Sequence, residues 1–124
     1  VTKDGLTDLQ LSVMKALWAV GEGSVAEVLA ALVEDGKTLA PTTVATLLQR
    51  LSKHGWVESR KVGRLLLYSA SVDQKQAATG ALQRVVRAFF GGSVSALTAQ
   101  LLESEELTAS ELREMRSLVK KKEP

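Results

Sequence analysis

The sequence predicts a mainly α protein: a winged helix-turn-helix of three helices and a β-hairpin, followed by a C-terminal helical dimerisation module. Three observations lead there. Apolar residues recur at helical spacing from Leu9 to Leu51. After Gly55 the period changes to two short runs, Trp56–Lys61 and Leu65–Ser69, around Val62-Gly63-Arg64, the pattern of a hairpin with glycine in its turn. From Ser71 helical spacing resumes in segments too short to enclose a core of their own. A chain of 124 residues is one domain, or a small domain with an appendage. The expected division is a winged helix over residues 1–70 and a helical module over residues 71–124.

Each element has its own signals. Thr7 and Gln10 fit a capping box, with Leu6 and Leu11 at staple spacing; Leu9, Val13, Ala16, Leu17 and Val20 then form a stripe widened by Leu11, Met14 and Trp18. Gly21 and Gly23 end it. Ser24 and Glu27 open a second helix on Val25, Val28, Leu29 and Leu32, closed by Asp35-Gly36. Pro41 suits the first position of a third helix, where its missing N–H costs nothing. Leu39 and Val44 form its staple; Val44, Leu47, Leu48 and Leu51 are its buried stripe, and Gly55 is its stop. Beyond Ser71, Ala78, Leu82, Val85 and Phe89 form one stripe and Ala77, Ala81, Val86 and Phe90 lie beside it. Gly91-Gly92 breaks that helix, and Ser93 caps a fifth with Val94, Leu97, Leu101 and Leu102. Thr108 and Glu111, with Leu107 and Leu112, open a sixth bearing Met115, Leu118 and Val119. The apolar faces of these last helices, centred on Leu82, Val85, Val86, Phe89, Phe90, Leu97, Leu101, Leu112, Met115 and Val119, are expected to bury against a second copy of the chain.

Charge is unevenly placed. The total is +2, yet residues 1–36 carry −4 and residues 37–64 carry +5, and between Lys37 and Val57 there is no acid. Clustered charge of one sign makes a local field that suits a polyanion. The Lys120-Lys121-Lys122 tail reads instead as a solvated helix end, favourable at the negative pole of the macrodipole.

Catalysis has little to work with. The absence of Cys removes disulfides, thiol nucleophiles and thiolate metal sites, and one His, His54, cannot build a multi-histidine metal site. His54 lies beside the stop of the third helix, and Glu105-Glu106 falls in a linker where solvation explains it. Gly21-Glu22-Gly23 lacks the later glycine and preceding strand of a phosphate loop. The expectation is no enzyme, no metal and no cofactor. The longest aliphatic run, Leu65-Leu66-Leu67, is far short of the ~18 residues a membrane helix needs. Val1–Gly5 has no signal-like apolar stretch. No membrane insertion and a cytoplasmic location are expected.

DNA binding needs short side chains that reach base edges and cations that reach phosphates. Thr42, Thr43, Thr46 and Gln49 line the N-terminal half of the third helix, opposite its apolar stripe. Threonine is a mediocre helix former, so three in five positions call for another reason. Arg50 and Lys53 on the same strip, with Arg60, Lys61 and Arg64 around the hairpin tip, supply the cations. The alternative of a winged-helix protein-interaction adaptor without DNA binding would have been favoured by acids along the third helix, and they are missing.

Leu6-Thr7-Asp8-Leu9-Gln10-Leu11-Ser12-Val13-Met14-Lys15-Ala16-Leu17-Trp18 resembles the opening of the penicillinase-repressor family of bacterial regulators, the BlaI/MecI/CopY group. Thr42–Leu51, the Tyr68-Ser69 end of the hairpin and Phe90-Gly91-Gly92-Ser93 resemble it too, in the same order. The resemblance implies a homodimeric repressor that binds a palindromic double-stranded DNA operator, with recognition positions at Thr42, Thr43, Thr46 and Arg50. It also implies a membrane sensor-protease signalling system as partner, with de-repression by cleavage in the fifth helix at the matching pair Gln100-Leu101. Three features depart from the family. No Cys-rich C-terminal metal site is present, which excludes copper sensing; Gln100-Leu101 stands where typical members of the β-lactam branch have the cleaved Asn–Phe bond; and Ala45 stands where some relatives place a basic residue.

Overall fold

Two reciprocal capping boxes and a proline fix where the helices of the N-terminal half begin. A computed structural model describes residues 5–124; of the Val1–Gly5 stretch read for a leader, only Gly5 lies within the described residues. Helix α1 (Asp8–Val20) starts at Thr7, whose hydroxyl oxygen accepts the Gln10 N–H at 3.2 Å while Gln10 Oε1 accepts the Thr7 N–H at 3.0 Å. Strand β1 (Glu22–Gly23) follows, and then α2 (Val25–Glu34), capped in the same way by Ser24 and Glu27. Helix α3 (Pro41–Lys53) has Pro41 in its first turn and no side-chain cap. Strands β2 (Val57–Val62) and β3 (Leu65–Ala70) form the hairpin, in which Gly63 has φ +63°, a backbone conformation that side chains with a Cβ rarely adopt.

The sheet has the order β1-β3-β2, antiparallel throughout. Glu22 lies opposite Ser69 and Gly23 opposite Tyr68; on the other side Glu58 lies opposite Ser69, Arg60 opposite Leu67 and Val62 opposite Leu65. Periodicity marks Gly21 and Gly23 as a helix stop and predicts no strand here, whereas the structure has β1 across Glu22 and Gly23. Gly23 is buried, and a Cβ there would sit 3.3 Å from Val20 Cγ2 and 3.4 Å from Glu27 Cβ, so this strand fits only as glycine without a shift of its neighbours.

Val13, Met14 and Leu17 of α1, Val28 and Leu32 of α2, and Val44, Leu48 and Leu51 of α3 are buried in one cluster with Trp56, Val57, Tyr68 and Val72. Leu6 and Leu39 pack against its rim, as their staple positions predict. Leu9 and Val20, expected in the α1 stripe, are exposed, because α2, α3 and the sheet leave those two positions uncovered. The chain past β3 belongs to this unit: Trp18 Nε1–H donates to the Val72 carbonyl at 2.9 Å, and the Ser71 N–H donates to the Trp56 carbonyl at 2.8 Å.

The helix expected from Ser71 begins three residues later, as α4 (Gln74–Phe90). Ser71 and Val72 spend their backbone groups on the winged part, and Asp73 provides the cap, its Oδ1 accepting the Gln76 N–H at 2.7 Å. Helices α5 (Val94–Leu102) and α6 (Ala109–Lys122) start at Ser93 and Thr108 as read. By its contacts the chain divides into two compact units, one reaching Leu82 and the other Gln83–Pro124. In the second unit Val86 is buried, Phe90, Leu97, Leu107 and Met115 are half-buried, and no residue of α5 or α6 is fully covered. The stripe Ala78, Leu82, Val85 and Phe89 is exposed along its length, Phe89 by 80%. No single helix among the described residues is long and apolar enough to cross a membrane.

Candidate nucleic-acid interface

Helix α3 is amphipathic in a way that separates two jobs. Val44, Leu47, Leu48 and Leu51 are buried, so the remaining positions of the same turns must face outward. Among them Thr42, Thr43, Thr46, Gln49, Arg50 and Lys53 are exposed, while Ala45 and Ser52 at the borders are half-buried. The helix thus offers short polar groups near its N-terminus and cations near its C-terminus, where positive charge also suits the macrodipole. His54, the C-cap, gives its backbone N–H to the Arg50 carbonyl at 3.1 Å, which fixes the last turn under Arg50 and Lys53.

Thr46 is already half committed. Its hydroxyl donates to the Thr42 carbonyl one turn earlier, at 2.9 Å. The single hydroxyl proton is used, so outward it offers acceptor lone pairs and a methyl group. Such a group takes a hydrogen bond from an exocyclic amine or touches a thymine methyl.

The hairpin brings Lys61 and Arg64 to its tip, both exposed, among Val62, Leu65 and Leu66, which are exposed as well. Arg60 is placed differently. Side chains alternate along a strand, so Arg60 and Lys61 leave opposite faces of the sheet. Val57, buried against the helices, shares the face of Ser59 and Lys61; Glu58, Arg60 and Val62 share the other. There Arg60 forms a fork with Glu22, Nε to Oε2 at 2.6 Å and the terminal nitrogen to Oε1 at 2.7 Å. The hydrogen bonds from Arg60, and then its charge, hold the Glu22 carboxyl below its ordinary pKa, and the pair in turn raises that of Arg60. Glu22 is the partner of Arg60 that the sequence pattern does not reveal. A lone acid between two glycines carried no sign that β1 would bring it level with Ser69 and within reach of the wing.

A cavity of about 270 Å³ opens beside the start of α4, lined by Trp56, Ser71, Val72, Gln76, Ala77 and Gly80. Its polar lining is Ser71 and Gln76, and the Gln76 side-chain oxygen already accepts the Asp73 N–H at 3.1 Å. It presents no charged group to a ligand. Among the described residues no three His, Asp or Glu side chains are grouped to hold a metal ion.

This geometry has known counterparts. The profile of the penicillinase-repressor family matches residues 6–121. The chain belongs to the penicillinase-repressor family. The penicillinase repressor of Bacillus licheniformis is 27% identical over 110 residues, 89% of this chain and 85% of that protein. The methicillin resistance regulatory protein MecI of Staphylococcus aureus is 22% identical over 117 residues, 94% of each chain. Among solved structures, the DNA-binding domain of the repressor BlaI superposes with a TM-score of 0.51 at 32% identity, spanning 59% of this chain and 88% of that one. Monomeric BlaI of B. licheniformis in complex with the blaP half-operator gives a TM-score of 0.50 at 31% identity, spanning 61% and 93%. The family member described here is therefore a winged helix-turn-helix protein over its first part.

Proposed function

We propose that this protein is a homodimeric bacterial transcriptional repressor that grips a palindromic operator with α3 and the hairpin wing. The observation that carries the reading is the exposed face of α3, six polar or basic residues backed by a fully buried stripe and free of acids. The family membership and the likeness to BlaI, solved on its half-operator, support it. Thr42, Thr43, Thr46 and Gln49 meet base edges in the major groove. Arg50, Lys53, Lys61 and Arg64 meet phosphates on either side of it. Repression is steric: an occupied operator excludes polymerase.

The helices from α4 onward pair two copies. The bare stripe of Leu82, Val85 and Phe89 supports this, since an isolated chain would leave those side chains in water. Linking two half-site readers raises effective concentration at the second half-site, so loss of the dimer releases the operator. De-repression by a sensor protease at Gln100-Leu101 fits the same scheme. Both residues are exposed, and α5 is 9 residues long with none buried, so unwinding it for a protease costs little.

The test is selection of bound sites from a random duplex pool, followed by titration of the full chain at several salt concentrations. The expected site is an inverted repeat with half-sites a whole number of helical turns apart. Four phosphate contacts per subunit give a log–log salt slope of about −7 for the dimer. A chain that stays monomeric at micromolar concentration and ignores duplex DNA in dilute buffer refutes the proposal.

A further inference from the structure

We infer that Glu22 is a positioning residue for the wing, holding Arg60 across the central strand so that the tip bearing Lys61 and Arg64 keeps one direction. The inference rests on the DNA-binding reading above, and assigns Arg60 to the wing's support and not to phosphate contact.

The reason lies in how little of the hairpin is supported. Strand β1 pairs with β3 at Ser69 and Tyr68 and there ends, because Ser24 caps α2. From Leu67 to the turn, β3 has β2 as its only partner among the described residues, so Arg60–Leu67 is a two-stranded ribbon projecting past the sheet. Two-stranded ribbons twist freely and are marginal alone. Gly23, opposite Tyr68, is the last paired position of β1 and has no side chain; Glu22, opposite Ser69 in a strand between α1 and α2, is the side chain of β1 that shares the sheet face of Arg60. Arg60 is the first position of the projecting part, opposite Leu67. The ion pair runs diagonally over β3, from the fixed strand to the projecting ribbon, in the forked geometry that fixes direction as well as distance. It lies on the sheet face opposite Val57 and Tyr68, which pack against the helices, while Lys61 follows the helix-side face.

The experiment compares the wild-type chain with Glu22→Gln, Arg60→Gln and the double variant. Backbone amide exchange across Lys61–Leu66, read without DNA, is expected to quicken to the same degree in all three, with thermal melts confirming that each is folded. Operator affinity is expected to fall on the order of fivefold in each single variant and no further in the double. The salt slope stays at the wild-type value throughout. Two results overturn the inference: unchanged wing exchange in Glu22→Gln, or an Arg60→Gln slope shallower by about 0.9 per subunit with tighter binding in Glu22→Gln, which makes Arg60 a phosphate contact. A wild-type chain that binds no duplex refutes the repressor reading, and the exchange measurement then still decides the role of Glu22 in the wing.

Discussion

Arg50 and Thr46 are one turn apart on α3 and are expected to fail differently when changed. Arg50→Ala removes the charge-assisted contact proposed for it and should weaken operator binding by about 1–3 kcal/mol in a fixed-salt gel-shift titration. Thr46→Val keeps the methyl and deletes the acceptor, so it should relax preference at one base position while leaving affinity for mixed-sequence DNA unchanged; site selection reads this. Glu22 carries a pH dependence with a definite sign. Arg60 lowers its pKa in the folded state, chiefly by hydrogen bonding, so the pair stabilises the fold above the ordinary carboxylate range. That contribution is lost as pH falls through the lowered value. Melting curves of Arg60→Gln should therefore converge with wild type in acid and lie slightly below it at neutral pH, slightly because an exposed pair is weak.

At the scale of elements, the buried face of α3 is what presents its outer face. Leu48→Ala, at a fully covered position, should cost about 2–5 kcal/mol in denaturant unfolding and loosen the seat of the recognition strip with it. Much of this was readable beforehand, because the signals are local. Thr7 with Gln10, Ser24 with Glu27 and Thr108 with Glu111 each satisfy orphan helix N–H groups within three residues, and the caps formed where those pairs stand. What escaped was set by partners far along the chain. Strand β1 exists because Ser69 and Tyr68 come alongside two residues whose own sequence is only a helix stop. The start of α4 moved from Ser71 to Gln74 because Trp56 and Trp18, 15 and 54 residues away from their partners Ser71 and Val72, claim those backbone groups. Exposure of Leu9 and Val20 escaped for the same reason: periodicity gives the faces of a helix, and the neighbours decide how wide the covered face is. The polar strip of α3 was legible as an exposed face, and all six of its residues are exposed, whereas the tie between Arg60 and Glu22, 38 residues apart, was not.

For the whole molecule, the bare stripe on α4 is the surface that the proposed dimer would bury, and through the dimer it would set affinity. Phe89→Asp places a charge where the proposed partner's apolar face lands. It should convert a dimer to monomer in sedimentation velocity and bring the salt slope to about half its wild-type value, since one half-site reader then binds alone. Retention of the dimer would move the pairing surface elsewhere on the second unit. The two units also differ in their aromatic content. Trp18, Trp56 and Tyr68 all precede Leu82, and the only aromatic side chains after it are Phe89 and Phe90. Indole fluorescence during heating consequently tracks the loss of the first unit alone, while far-ultraviolet dichroism tracks every helix. The unaltered chain thus carries its own pair of optical reporters, and the gap between their two midpoints measures how far the halves melt independently.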